Sequence, residues 1–157
     1  MTINQNNFLR ATGFTLSLRS DKYPGLDCQI QSVAHPALTI GNAQHQTPRR
    51  IIPLPGDQYN FDPLSFTMIL EQDMASYITV YNWMRDIIET TDETAYKDKV
   101  SDIILSIYNT KNNLTKRITY VNAFPTDLGS LNFAITDTSD EYITVDCIFA
   151  YNYFRLS

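Results

Sequence analysis

Alternation of apolar and polar residues in the last third of this 157-residue chain commits that region to a sheet. In a first run Ile103, Leu105 and Ile107 share one face. A second carries Ile118 and Tyr120. In the third, Ile143, Val145, Cys147, Phe149, Tyr151 and Tyr153 alternate with Thr144, Asp146, Ile148, Ala150 and Asn152. Lys111-Asn112-Asn113 reads as the turn between the first two runs, and Asn122 to Phe133 as the connection to the third. The third run is expected to pack its Ile143–Tyr153 face on the subunit's own core. Only Arg155, Leu156 and Ser157 follow its aromatic end at Phe154, so the expected cover for its other side is a second copy of the protein.

Upstream, Phe14, Leu16 and Leu18 alternate with Thr15 and Ser17, which predicts a half-buried strand, and a second strand is expected from Asp27 to Val33. Leu64, Phe66, Met68 and Leu70 predict another. Asp73 then suits a helix N-cap, and Met74, Tyr77, Ile78, Tyr81, Met84 and Ile88 follow at helical spacing, giving one helix over about residues 73–89. Between the strands, residues 34–60 hold four of the seven prolines (Pro36, Pro48, Pro53, Pro55) with Gly41, Gly56 and several Asn, Gln and His. A stretch this long without a clear period is a linker, a lid, or an arm that reaches a partner. Ala37–Ile40 and Arg49–Leu54 remain possible edge strands inside it, since proline is tolerated at a sheet edge. The fold class is α+β, mainly antiparallel β, a barrel or sandwich with one flanking helix. The chain reads as a single domain, 1–157, with an extended Pro/Gln-rich arm at about 34–60. A chain of this length buries roughly 70% of its unfolded surface.

Charge narrows the partners. Residues 1–60 set Arg10, Arg19, Lys22, Arg49 and Arg50 against Asp21, Asp27 and Asp57, a balance of +2 within a total of −5, which leaves −7 for the rest. An acidic chain is a poor nucleic-acid binder, because backbone affinity comes from Lys and Arg displacing counterions. The start, Met1 to Asn7, has neither a basic nor an apolar segment, and no run approaches the ~18 apolar residues of a membrane helix. A chain made and kept in a cytoplasm, without membrane contact, is therefore expected. Cys28 and Cys147 each sit in an apolar run and read as buried thiols rather than a disulfide.

No catalytic or metal-binding constellation stands out. His35 and His45 lie ten apart in the arm, with no Cys or His at ligand spacing. Asp137, Asp140 and Glu141 lack the glycine and length of a calcium loop and read as an acidic turn. No glycine-rich phosphate loop or nucleophile elbow occurs. The chain is expected to be no enzyme and to need no cofactor or metal.

Several segments carry a resemblance. Phe8-Leu-Arg10 with Phe14-Thr-Leu-Ser17, Ser32-Val-Ala-His-Pro36, and Asp57-Gln-Tyr-Asn-Phe61 through Phe66-Thr-Met-Ile69 leading to a helix with Trp83 are similar to the tail tube proteins of contractile-tailed bacteriophages. So are Ala123-Phe-Pro-Thr-Asp-Leu-Gly-Ser-Leu-Asn-Phe133, Ile143-Thr-Val-Asp146 and Phe149-Ala-Tyr-Asn-Tyr153. The resemblance covers nearly the whole chain in order, although tyrosine or phenylalanine stands where the family has a C-terminal tryptophan. It implies a tail-tube or Hcp-like fold and six-membered rings stacked into a tube through which DNA passes without specific binding. It also implies tail sheath and baseplate partners, and a virion protein assembled in the host cytoplasm. A ring that initiates or caps the tube, or a secretion-system tube protein, fits the same resemblance. Arg49, Arg50 and Asp57 are the candidate contacts between rings, and Thr144, Asp146 and Asn152 the candidate channel-facing residues. A monomeric ligand- or glycan-binding β-domain, with its tyrosines as a stacking platform, is the reading from a different class.

Overall fold

The computed structural model describes residues 9–19, 29–90, 96–136 and 141–157. In chain order the elements are β1 (Phe14–Arg19), β2 (Ile30–Ala34), β3 (Leu38–Gln46), β4 (Ile51–Phe61) and β5 (Leu64–Ile69), then α1 (Ala75–Glu89) and the single turn α2 (Tyr96–Lys99), then β6 (Ser101–Tyr108), β7 (Leu114–Leu128), β8 (Thr144–Ala150) and β9 (Tyr153–Leu156). Seven strands form one antiparallel sheet in the order β1-β6-β7-β8-β5-β2, with β9 also on β7, while β3 and β4 pair with each other.

The 15-residue strand β7 is the spine. Its first half pairs with β6 on one side and β9 on the other, and its second half pairs with β8. The change falls at Asn122, which takes a left-handed backbone (φ 55°) and donates its N–H to Asp102 Oδ1 at 3.1 Å. Asparagine tolerates that conformation better than most residues. The bend folds the sheet so that Leu16, Leu18 and Ile103 meet Ile30, Phe66 and Phe149 around a void of only about 10 Å³. Period-two burial on β5 and β8 supplies Leu64, Phe66, Met68, Val145, Cys147 and Phe149 to this core, all nearly inaccessible. The hairpin turn from β6 to β7 is built as its asparagines suggest: Asn109 Oδ1 accepts the N–H groups of Lys111 and Asn113, and Asn112 supplies a positive φ of 63°.

Three expectations change. The segment from Asn122 to Phe133 is not simply a connection, because β7 runs on through Pro125 to Leu128. The third run is not one strand: it ends at Ala150, bends at Asn152, and resumes as β9 with Tyr153 45% exposed instead of facing the core. Asp73 is not the N-cap. Met74 holds that position in a left-handed conformation, and the Asp73 carboxylate accepts the Ala75 N–H at 3.3 Å from one residue further out. The helix itself forms as the spacing predicts, and it buries Ser76, Val80 and Trp83, whereas Ile78, Tyr81 and Ile88 point to solvent. Trp83 decides that rotation. Its ring packs edge-on against Phe149 at 5.5 Å, and its Nε1 donates to the Lys99 carbonyl at 2.7 Å. Lys99 Nζ in turn caps the helix C-terminus through the Ile87 and Thr90 carbonyls, a favourable place for a cation.

Cys147 is buried, and Cys28 lies outside the described residues, as does the acidic turn at Asp137 to Asp140. No described helix is long and apolar enough to cross a membrane.

Candidate assembly surfaces

The proline-rich segment is a two-stranded arm. Leu38 to Gln46 pairs with Ile51 to Phe61, with a bulge between Ile40 and Asn42. Every residue of β3 is exposed, and β4 is exposed apart from partial cover at Ile52, Gly56 and Phe61. Proline is admitted because β4 leaves one edge unpaired, and Pro53 and Pro55, two residues apart, put their missing donors on the same edge. At the bulge Gly56 is required: a Cβ there would overlap the Gly41 carbonyl, whereas a Cβ on Gly41 meets nothing within 4 Å.

The tip is a tight turn in which Thr47 Oγ1 donates to the Arg50 carbonyl at 2.7 Å and accepts the Arg50 N–H at 3.2 Å. Arg49 and Arg50 therefore stand at the outermost point of the arm. Asp57 does not join them. It lies seven residues back along β4, about 23 Å away at ~3.3 Å per residue, opposite the bulge.

The root of the arm is clamped by aromatic rings that sequence reasoning did not single out. Phe61 meets Phe154 edge-on at 5.4 Å and Tyr151 at 6.1 Å, and His35 meets Phe154 at 4.8 Å. Tyr151 donates its hydroxyl to the Asp62 carbonyl, and His35 Nδ1 is hydrogen-bonded to the Tyr120 hydroxyl, both at 2.7 Å. The Asp62 N–H to the Ala37 carbonyl closes the two legs at 3.2 Å. Burial, and then the neighbouring Tyr151, pushes the Tyr120 phenol well above its ordinary range. Burial, then Asp62, pushes Tyr151 up to about 12, while burial lowers the His35 imidazole. The only signal in the sequence was the density of aromatics around residue 151, where the alternation suggested a continuing strand.

The second surface is the outer face of β5 and β8. Thr144 and Asp146 share it, with Thr67 opposite Asp146 and donating to its carboxylate at 2.5 Å. Asn152 is not on that run. It sits in the bend after β8, with its backbone N–H held by the Val121 carbonyl at 3.0 Å. On the other side of β8, Thr126 Oγ1 of β7 donates to the Ile148 carbonyl at 3.1 Å. Ile69 and Ile148 share the face with these groups, so it is mixed, with the Asp146 carboxylate as its charge, and among the described residues no cluster of three metal-ligating side chains forms on it or elsewhere.

No protein-family model matches the chain. It is 26% identical to the tail tube terminator protein of Enterobacteria phage T4 over 148 residues, 92% of this chain and 79% of that protein. Its fold is similar to a chain of the anti-feeding prophage cap, the AFP tube terminating cap, with a TM-score of 0.74 and 17% identity over all of this chain and 95% of that one. A chain of the PVC extracellular contractile injection system, from its sheath–tube complex in the extended state, gives a TM-score of 0.71 at 17% identity over 98% of this chain and 93% of the other. An Hcp protein is more distant, at a TM-score of 0.54 and 10% identity over 92% of this chain and 98% of its own. The fold is thus the tail-tube and Hcp-like one that the sequence suggested.

Proposed function

We propose that this chain, a tail-tube-like structural protein and not an enzyme, forms a ring that ends the inner tube of a contractile tail. The observation that carries this reading is the extent of the likeness: a tail tube terminator matches across 92% of the chain, and a tube terminating cap matches its fold throughout. The architecture supports a ring. Among the described residues β1, β2 and β9 leave open edges, which a monomer must protect and which closure around a symmetry axis removes. Six copies is the number the tail-tube resemblance implies, with sheath and baseplate components as further neighbours and the virion as the site of action.

In this reading the outer face of β5 and β8 lines the channel. Thr144, Thr67 and Asp146 give it polar groups with one fixed carboxylate per subunit, which repels a DNA backbone and lets it slide. The arm carries Arg49 and Arg50 away from the body, toward another subunit or ring.

Size and shape of the purified chain test the reading. Electron microscopy with native mass spectrometry is expected to show closed rings with a central hole that do not grow alone and that halt growth when added to a polymerising tube. Long tubes from this chain by itself would assign it to the repeating subunit instead. A monomer at every concentration would overturn both readings and return the ligand-binding β-domain.

A further inference from the structure

Helix α1 is apolar on both sides. Val80 and Trp83 are fully buried against the sheet, yet Ile78 (48% exposed), Tyr81 (52%) and Ile88 (81%) face outward. Asn82, Arg85 and Glu89 are exposed among them, so the outward apolar residues form a stripe bordered by polar ones. Within the described residues this stripe stays open to solvent. Between this stripe and the end of β7 lies an open groove of about 460 Å³, with Tyr81, Met84 and Ile88 as apolar lining and Glu89 and Asp127 as acids. Arg85, the base among its described lining residues, is already paired with Glu89 at 2.8 Å.

The arm tip has the complementary chemistry. Pro48 and Ile52 surround Arg49 and Arg50, and Ile51 is 55% exposed beside them. The nine residues of β3 give the arm about 30 Å of reach at ~3.3 Å per residue, twice the ~15 Å radius of gyration of a domain this size. β3 and β4 pack substantially on each other alone, so the tip is free to leave its own subunit. Pro53 and Pro55 also bar the β4 edge from strand addition, which leaves side-chain docking as the way this side of the arm engages a partner.

We propose that the arginine tip of one copy's arm seats in the α1 groove of a second copy. This rests on the ring reading above and names the contact that joins its subunits. The pairing is heterologous: every copy offers one arm and one groove, so the contacts close only when the ring does. Apolar burial of Ile51 and Pro48 against Tyr81 and Ile88 anchors it. Arg49 and Arg50 against Glu89 and Asp127 fix its orientation.

The test is a charge reversal read by native mass spectrometry and sedimentation velocity on the full chain. R49E/R50E and E89K/D127K are each expected to raise the assembly midpoint concentration by roughly tenfold or more, the effect of ~1.4 kcal/mol. All four positions are exposed, and unchanged melting curves show that the variants fold. Mixing the two variants, so that acid-tipped arms meet basic grooves, is expected to restore association. Assembly at wild-type midpoints for both variants overturns the proposal and hands the groove to a different partner, while the rings themselves remain. Weakening without rescue in the mixture also overturns it. A wild-type chain that never assembles overturns this contact together with the ring reading.

Discussion

Gly56→Ala and Gly41→Ala are matched perturbations of the arm. Both remove the same backbone freedom from the unfolded chain, a gain of roughly 0.4–1 kcal/mol where the native conformation allows it. Neither glycine has a positive φ, so the conformation allows it at both. They differ in space. A methyl on Gly41 meets nothing within 4 Å, but one on Gly56 drives into the Gly41 carbonyl, a backbone atom that cannot rotate away. Relieving it means parting β3 and β4 at the bulge, an overpacking cost of about 1–3 kcal/mol. An isolated two-stranded ribbon is marginally stable. A net loss of ~1.3 kcal/mol, the overpacking cost less the unfolded-state gain, therefore raises local opening of the arm nearly tenfold, at ~1.4 kcal/mol per factor of ten. The core, which the arm does not support, is spared. Amide hydrogen exchange resolves this. In Gly56→Ala the amides of Leu38–Gln46 and Ile51–Phe61 should lose protection while those of β6 and β7 keep theirs, and Gly41→Ala should keep or gain protection throughout. Equal exchange in the two variants, or a global loss in Gly56→Ala with the arm no worse than the core, would refute the reasoning.

Phe149→Ala empties the space between Phe66 and Trp83, and urea unfolding should register about 3–5 kcal/mol of lost stability. Tyr151→Phe removes the hydrogen bond to Asp62, costing about 1 kcal/mol by the same measurement and loosening arm amides first. In alkali, Tyr151 ionises in the fold only near 12 against an ordinary 10.0. The unfolded chain loses its phenolic protons first, so stability is present below pH 10.0 and falls as pH rises above it, less steeply in Tyr151→Phe. His35 carries the opposite dependence. Burial lowers its pKa from 6.5, so the unfolded chain takes up the proton first, and stability held above pH 6.5 is lost as pH drops through the folded value. His35→Gln should flatten that part of the profile, and an identical profile in the variant would count against it.

Strand periodicity made β1, β5, β6 and β8 legible, because each alternates one buried and one open face. The arm was legible as an arm but not as a ribbon, since prolines and polar residues hide a pairing that buries almost nothing. The helical spacing of α1 was legible, but which of its faces the subunit covers was not. Ile78, Tyr81 and Ile88 form a stronger apolar stripe than Ser76, Val80 and Trp83, and periodicity ranks faces by hydrophobicity without regard to which one its own subunit covers. The bend at Asn152 and the clamp at Phe61, Tyr151 and Phe154 depend on contacts between residues some 90 positions apart, as Tyr151 with Asp62 shows. Arg49 and Arg50 were found where an arm should present them, whereas Asp57 and Asn152 were grouped with them and with Thr144 by composition and parity, which a bulge and a bend undo.

The aromatic clamp gives the arm the mechanics of a pointer. With about 30 Å between root and tip, a rotation of ~5° at Phe61 displaces the arginines by roughly 2.6 Å, close to the length of a hydrogen bond. Aim at the tip is thus set by ring angles at the base. The two rings that hold Phe61 there, Tyr151 and Phe154, flank the bend between β8 and β9, so a torque on either end of the arm is felt at the other.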